Sequence, residues 1–354
     1  MSTSDQSNAA GNLKRHDIVV IGASAGGVEA LAEFVQGLPA DLPAAVFVVL
    51  HVPAYGHSVL PNILSRRGPL TARHPENGEL IQPGRIYVAP PDHHLLIKSG
   101  RILLTRGPAE NHHRPAIDTL FRSAARCCGS RVIGIVLTGT LDDGTAGLQS
   151  IKMRGGIALV QDPEEALFAG MPRSAIENVA VDAIQSIAVL AKTVERLAGE
   201  PAGQEELPAT PELEEDVEVA EMDIDVLDNR TEGKPSGFSC PDCHGVLWEI
   251  TEGELIRFRC RVGHAFSPNS LLASQSDNLE EALWVALRAL EESAAMAERL
   301  QERAADRGHV LSAQRFSEQA GDARQRARII HDVLTGGQII ADTELRSAKN
   351  EPKE

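Results

Sequence analysis

Residues 18–31 read Ile18-Val19-Val20-Ile21-Gly22-Ala23-Ser24-Ala25-Gly26-Gly27-Val28-Glu29-Ala30-Leu31. A short β-branched run stops at a glycine-rich turn, and a helical pattern follows. This commits the start of the chain to a strand–turn–helix unit. Gly22-Ala23-Ser24-Ala25-Gly26 fits G-x-S-x-G, a tight corner that exposes a nucleophilic hydroxyl. Small flanking residues let the corner close. The helix behind it aims backbone N–H groups at any anion formed beside Ser24.

The pattern that begins there continues to about Gly199. Candidate strands are Ile18–Ile21, Ala45–Leu50, Arg85–Ala89, His94–Ile97, Ile102–Thr105, Val132–Leu137 and Ala158–Gln161. Candidate helices are Gly27–Gln36, Ser58–Arg66, Ala116–Cys127, Thr145–Met153, Met171–Glu177 and Ile184–Leu197. Alternating strands and helices predict an α/β fold, a doubly wound, mostly parallel sheet covered on both faces. Gly84–Arg106 has no helix between its strands and reads as an antiparallel hairpin excursion. Sites in such folds form at the carboxyl ends of the strands, where the Ser24 turn lies.

Composition narrows the partners. The formal net charge of −16 argues against nucleic-acid binding, which needs a basic face. No apolar run approaches the roughly 18 residues of a membrane span, and the polar N-terminus has no signal-peptide core. Five cysteines do not suggest a disulfide framework, so the expected location is the cytoplasm. Aromatic residues are only 3% of the chain, so the core is predicted to be Val, Ile, Leu and Ala.

A serine hydroxyl needs a base to take its proton and an acid to orient that base. His51 directly follows Val46-Phe47-Val48-Val49-Leu50, at the carboxyl end of a strand. Asp143 follows the strand Val132–Leu137 and the loop Thr138-Gly139-Thr140-Leu141-Asp142. All three residues are predicted on one rim of one sheet. Each alone is also compatible with a plainer role, Ser24 as a turn residue, His51 as a structural strand end and Asp143 as a helix N-cap. A dinucleotide turn fits less well. Ser24 stands where G-x-G-x-x-G needs its central glycine, and His51 where the acidic residue belongs. The α/β-hydrolase elbow comes later in its chains, in the order Ser, Asp, His.

Six segments in order carry a resemblance. They are Gly22–Gly27, His51-Val52-Pro53, Gly84-Arg85-Ile86-Tyr87-Val88-Ala89-Pro90-Pro91, Asn111-His112-His113-Arg114-Pro115-Ala116-Ile117-Asp118, Leu137-Thr138-Gly139…Asp143-Gly144 and Phe168-Ala169-Gly170-Met171-Pro172. Over about Asp17–Ala191 the chain resembles the catalytic domain of the CheB-type chemotaxis methylesterases. The resemblance implies hydrolysis of glutamyl methyl esters on methylated receptor or signalling proteins, with glutamine deamidation by the same residues. It implies Ser24 as nucleophile, His51 as base and Asp143 as the residue orienting His51, with no cofactor for catalysis. Ala25 and the loop at Thr140 would form the oxyanion hole, with His113, Arg114 and Met171 around the substrate. The loop Thr140-Leu141-Asp142 departs from the commoner Met-Gly-x. The family's N-terminal receiver domain is missing ahead of Ser24, which leaves regulation to a partner in trans or to the C-terminal part. A second reading, from a different class, is a signalling adaptor that binds partners through an esterase-like domain. The intact Ser24, His51 and Asp143 favour the enzyme.

Beyond the esterase-like domain (15–199), residues 200–237 are Pro- and acid-rich and read as a solvated linker, with 1–14 and 339–354 as disordered tails. Residues 238–270 hold Cys240-Pro241-Asp242-Cys243 and Cys260-Arg261-Val262-Gly263-His264 across a hairpin, Val246–Ile250 and Leu255–Arg259. Paired knuckles of this spacing suit a closed structural zinc site, with His244 as a rival for the fourth place. Residues 275–338 carry two helical patterns broken near Arg307-Gly308-His309, a helical hairpin. Asp142 reads as a solvated loop residue and Cys127-Cys128 as a buried helical pair without chemistry.

Overall fold

Every residue of β1 (Ile18–Ala23) is buried, and so is every residue of its parallel neighbour β2 (Ala45–Leu50). Continuous apolar runs of this kind need cover on both faces of a sheet. The computed structural model, which describes residues 14–336 apart from 57, 204–206, 222–232 and 254, supplies that cover. Around β1 and β2 the chain runs through α1 (Gly27–Gln36), α2 (Leu60–Arg67), β3 (Thr71–Arg73) and β4 (Arg85–Val88). It continues through β5 (His94–Lys98), β6 (Arg101–Thr105), α3 (Ile117–Cys128) and β7 (Val132–Val136). Next come α4 (Thr145–Met153), β8 (Ile157–Gln161), α5 (Gly170–Asn178), β9 (Ala183–Gln185) and α6 (Ile187–Ala198).

Among the described residues, seven strands form one parallel sheet in the order β3-β4-β2-β1-β7-β8-β9. One face packs on α1, α2 and α6 through Leu31, Phe34, Leu64, Leu190 and Val194. The other packs on α3, α4 and α5 through Leu120, Phe121, Leu148 and Ala175. The chain leaves β1 toward β2 and returns on its far side as β7, so β1 and β7 flank the switch point where such sheets place their sites. Two short edge strands, β3 and β9, were not expected. β4 was expected within the antiparallel excursion, but it joins the main sheet parallel to β2. Only β5 and β6 pair antiparallel, as a separate ribbon.

Part of the stretch read as a solvated linker is ordered. Pro211–Glu221 forms α7, with Leu213, Val217 and Ala220 buried against Leu96 of β5. Acidic composition hid this helix, because its charges are matched by distant arginines. Asp216 is buried and paired with Arg257 and Arg259, and its Oδ2 lies 3.3 Å from Arg122 Nε. Glu110 completes the network through Arg122 and Arg257.

A second sheet follows, antiparallel in the order β10 (Lys234–Ser239), β11 (Val246–Glu252), β12 (Leu255–Cys260), β13 (Ala265–Phe266). Its small core is Cys240, Leu247, Phe258, Cys260, Phe266 and Leu271. The chain divides into two units, ending and beginning at Leu271 and Leu272. In the second unit α8 (Pro268–Asp306) continues and α9 (Val310–Gly336) follows, linked by an ion pair from Arg324 to Glu298. On α9, Ala320, Ala323 and Ala327 are buried at helical spacing. Apart from Lys14, the expected tails lie outside the described residues.

Candidate active site

Ser24 stands at the carboxyl end of β1, in a corner closed by Gly26 in the left-handed region (φ 73°). Its N–H donates to Thr138 O at 3.0 Å, and its carbonyl accepts from Gly27 N–H at 2.9 Å. These two bonds tie the turn to the loop after β7. The Thr138 side-chain oxygen reaches Ala25 O at 3.0 Å and accepts the Phe168 N–H at 2.9 Å, pinning the same corner from the side. Gly139 is there because nothing larger fits. A Cβ on it would lie 2.0 Å from Met171 Sδ and 2.9 Å from Ser24 Cβ.

His51 follows β2 and Asp143 precedes α4. Ser24 Oγ lies 3.1 Å from His51 Nδ1, and His51 Nε2 lies 2.7 Å from Asp143 Oδ2. An ionised Asp143 can only accept, so Nε2 carries the hydrogen and Nδ1 is the free base facing Ser24. Asp143 is 2% exposed, yet it remains charged. Burial pushes its carboxyl up, but the hydrogen bond and charge of His51 and the Ile117 N–H hold it well below the usual range. Ile117 N–H donates to Oδ2 at 2.8 Å, and Asp118 N–H to Oδ1 at 3.2 Å. Both belong to the first turn of α3, whose N-cap Ala116 has no side-chain oxygen to offer. Asp143 therefore caps α3 from outside, and the helix dipole favours its charge. The Asn111 amide adds a third donor, Nδ2 to Oδ1 at 3.2 Å.

The arrangement can deprotonate Ser24 in one step and orient the resulting imidazolium by a buried carboxylate. Among the described residues, the Ala25 and Thr140 N–H groups have no protein acceptor, so both are free to donate to an oxyanion. A groove of about 440 Å³ opens beside the triad, lined by His51, Pro53, Asp92, His112, His113 and Arg114.

The family profile for the CheB methylesterase covers residues 19–194. A protein-glutamate methylesterase/protein-glutamine glutaminase of Photorhabdus laumondii is 39% identical over 184 residues, which are 51% of this chain and 52% of that one. The chain thus spans about half of that relative's length. A putative protein of the same name from Leptospira interrogans is 38% identical over 183 residues, and there the match covers 95% of the relative. This chain belongs to the CheB methylesterase family. The catalytic domain of the Thermotoga maritima CheB methylesterase, a solved structure, is 34% identical, with 98% of it covered at a TM-score of 0.49.

In this CheB-family chain the other expected site residues take different places. His113 stacks on His51, with ring centroids 3.5 Å apart. Arg114 lines the groove, but its guanidinium donates to Asp92 Oδ1 at 2.7 Å and to Gly107 O at 2.8 Å. It therefore shapes the wall. Met171 is fully buried behind Gly139, so it supports the Ser24 corner from within the core and does not face the groove beside His51. Asp142 is not the solvated loop residue that its surroundings in the sequence suggest. It is 8% exposed and not solvated, because Ser267 Oγ donates to it at 2.7 Å and Ser270 Oγ at 3.1 Å. These partners come more than a hundred residues later, beyond the reach of local pattern. Asn111 and Thr138 sit inside quoted motifs, but no spacing signal marks their roles.

Burial and then the neighbouring His51 push His113 down to about 4. In the folded protein His113 is neutral through most of the range in which the unfolded chain takes up a proton, near 6.5. Its contribution to stability is full above pH 6.5 and is lost as pH falls toward 4. At 1.36 kcal/mol per pKa unit this loss is about 3 kcal/mol. Urea midpoints measured across this range are expected to fall less steeply in His113→Gln than in the wild type. Parallel curves would contradict it.

Cys240, Cys243, Cys260 and His264 bring their ligand atoms within 4.8 Å of one another. Cys243 Sγ and Cys260 Sγ are 3.6 Å apart, and His264 Nδ1 lies 3.7 Å from Cys240 Sγ and 3.6 Å from Cys260 Sγ. A tetrahedron with bonds of about 2.0–2.3 Å has edges of roughly 3.5–3.8 Å. His244, the rival fourth ligand, is outside this cluster.

Proposed function

We propose that this chain is a protein-glutamate methylesterase that hydrolyses glutamyl methyl esters on a chemoreceptor-like signalling protein, releasing methanol. The observation that carries the reading is the Ser24–His51–Asp143 relay beside an open groove. Ser24 Oγ attacks the ester carbonyl as its proton passes to His51 Nδ1. Asp143 holds the imidazolium through Nε2. The Ala25 and Thr140 N–H groups receive the oxyanion, each such donor supplying about 10²–10³ in rate. Methoxide leaves with the proton from His51. Water then attacks the acyl-serine with the same base, giving glutamate. A glutamine side chain would follow the same path with ammonia as leaving group. No metal or cofactor takes part in this path. The test is methanol release from a methylated receptor-type protein incubated with the full chain. Absence of release would leave the adaptor reading.

The Cys240, Cys243, Cys260 and His264 set fits a structural zinc ion, since all four positions of a tetrahedron come from protein groups. The sheet's own core is small, so metal binding would supply much of its folding free energy. Elemental analysis of the full chain is expected to give about one zinc per molecule, strongly reduced in Cys243→Ser. Equal zinc in both would count against the site. No described helix is long and apolar enough to cross a membrane. A cytoplasmic setting and a regulatory partner in trans complete the reading.

A further inference from the structure

The segment Ala265–Ser270, at the exit of the Cys/His sheet, grips both loops that build the triad. On one side it holds residues 109–112. Asn111 N–H donates to Ala265 O at 2.8 Å, and Ala265 N–H donates to Ala109 O at 3.4 Å. Ser267 N–H donates to the Asn111 side-chain oxygen at 2.9 Å. His112 Nδ1 lies 2.8 Å from Asp242 Oδ1, between two of the clustered cysteines, and its ring meets the Phe266 ring edge-on. On the other side Ser267 and Ser270 hold Asp142, the residue before Asp143.

The gripped loop has reason to need holding. Asn111 and His112 are consecutive residues in the left-handed region, at φ 50° and 65°. Such residues persist only where their surroundings over-determine them. This loop also delivers two groups to the site, the Asn111 amide to Asp143 and the His113 ring to His51. The Asn111 side chain is spanned. Its oxygen is fixed by the Ser267 N–H, so its NH₂ faces Asp143 at 3.2 Å and Asp118 at 3.5 Å.

We infer that the Cys/His sheet is a built-in positioning strap for the triad, and that Asn111 is the positioning residue through which it acts. The inference rests on the esterase and metal readings above. Zinc binding outside the triad would then set turnover. Folding of the metal knuckles fixes Ala265–Ser267, which fixes Asn111, which fixes Asp143 and through it His51. Asn111 touches neither substrate nor Ser24.

The full chain tests this in its zinc-loaded form and after removal of zinc with a chelator. Three readouts serve: kcat and KM for methanol release, the rate of Ser24 labelling by a serine-reactive phosphonate, and the low-field proton resonance of the His51 N–H bonded to Asp143. Chelation is expected to lower kcat and labelling about 10–100-fold, with KM within about 2-fold, and to move the resonance. Added Zn²⁺ should restore all of them. Asn111→Ala should give the same losses with zinc bound. Asn111→Asp keeps the acceptor for Ser267 but faces Asp143 with a second carboxyl. It should lose kcat at neutral pH and shift its optimum toward acid, where that carboxyl gains a proton to donate. A merely structural role would not move the optimum. The proposal is overturned if chelated wild type keeps its kcat, labelling and resonance, or if Asn111→Ala keeps its kcat. If zinc-loaded wild type releases no methanol while its resonance still responds to zinc and to Asn111→Ala, the strap stands and the esterase reading falls.

Discussion

Asp143→Asn is expected to lower kcat by roughly 10⁴ while leaving the fold in place. The reason is the set of donors that converges on this side chain. His51 Nε2, the Ile117 and Asp118 N–H groups and the Asn111 amide all point at its two oxygens. A carboxylate accepts from all four. An amide has one oxygen and turns its NH₂ toward at least two donors. The relief available is a flip of the His51 hydrogen to Nδ1, which removes the base from Ser24. Turnover with zinc-loaded protein, alongside a circular dichroism spectrum matching wild type, checks this. A loss below about 10-fold would mean that Asp143 does not set the His51 tautomer.

The second large effect is on stability. Asp216 lies buried among Arg122, Arg257 and Arg259. Burial pushes its carboxyl up, but the three guanidinium groups hold it far below the usual range. Because its folded value is depressed, its contribution is full above the unfolded range near pH 4 and is lost only in stronger acid. Asp216→Ala removes the one carboxylate that meets all three arginines, leaving Glu110 beside Arg122 and Arg257 and Glu215 3.7 Å from Arg259. Removing one partner from a buried network costs about 3–5 kcal/mol. Urea unfolding followed by the fluorescence of Trp248, on β11, in a Trp284→Phe background is expected to show a drop of this size. A change under about 1 kcal/mol would mean that water already reaches the cluster.

The catalytic end of the molecule was more legible than its C-terminal cover, for a physical reason. Ser24 and His51 directly follow apolar strands, and Asp143 follows one after a short loop. In a parallel sheet the carboxyl ends share a rim, so local pattern places all three. The acidic helix Pro211–Glu221 gives no such signal, because its apolar stripe of Leu213, Val217 and Ala220 is thin. Its charges look solvated until Arg122, Arg257 and Arg259 are brought to them. Asp142 misled for the same reason, since its hydroxyl partners Ser267 and Ser270 belong to a segment whose packing no local pattern reveals. The motif around Met171 points toward the substrate. The close approach of Gly139 to Ser24 is what puts Met171 in the core.

The most direct measurement of the central claim compares methanol release from a glutamyl methyl ester protein by wild type and by Ser24→Ala, both zinc-loaded. Steady release by wild type and a loss of roughly 10⁴–10⁶ in Ser24→Ala is the expected result. Equal release by the two proteins would contradict the account, because it would remove Ser24 as the nucleophile.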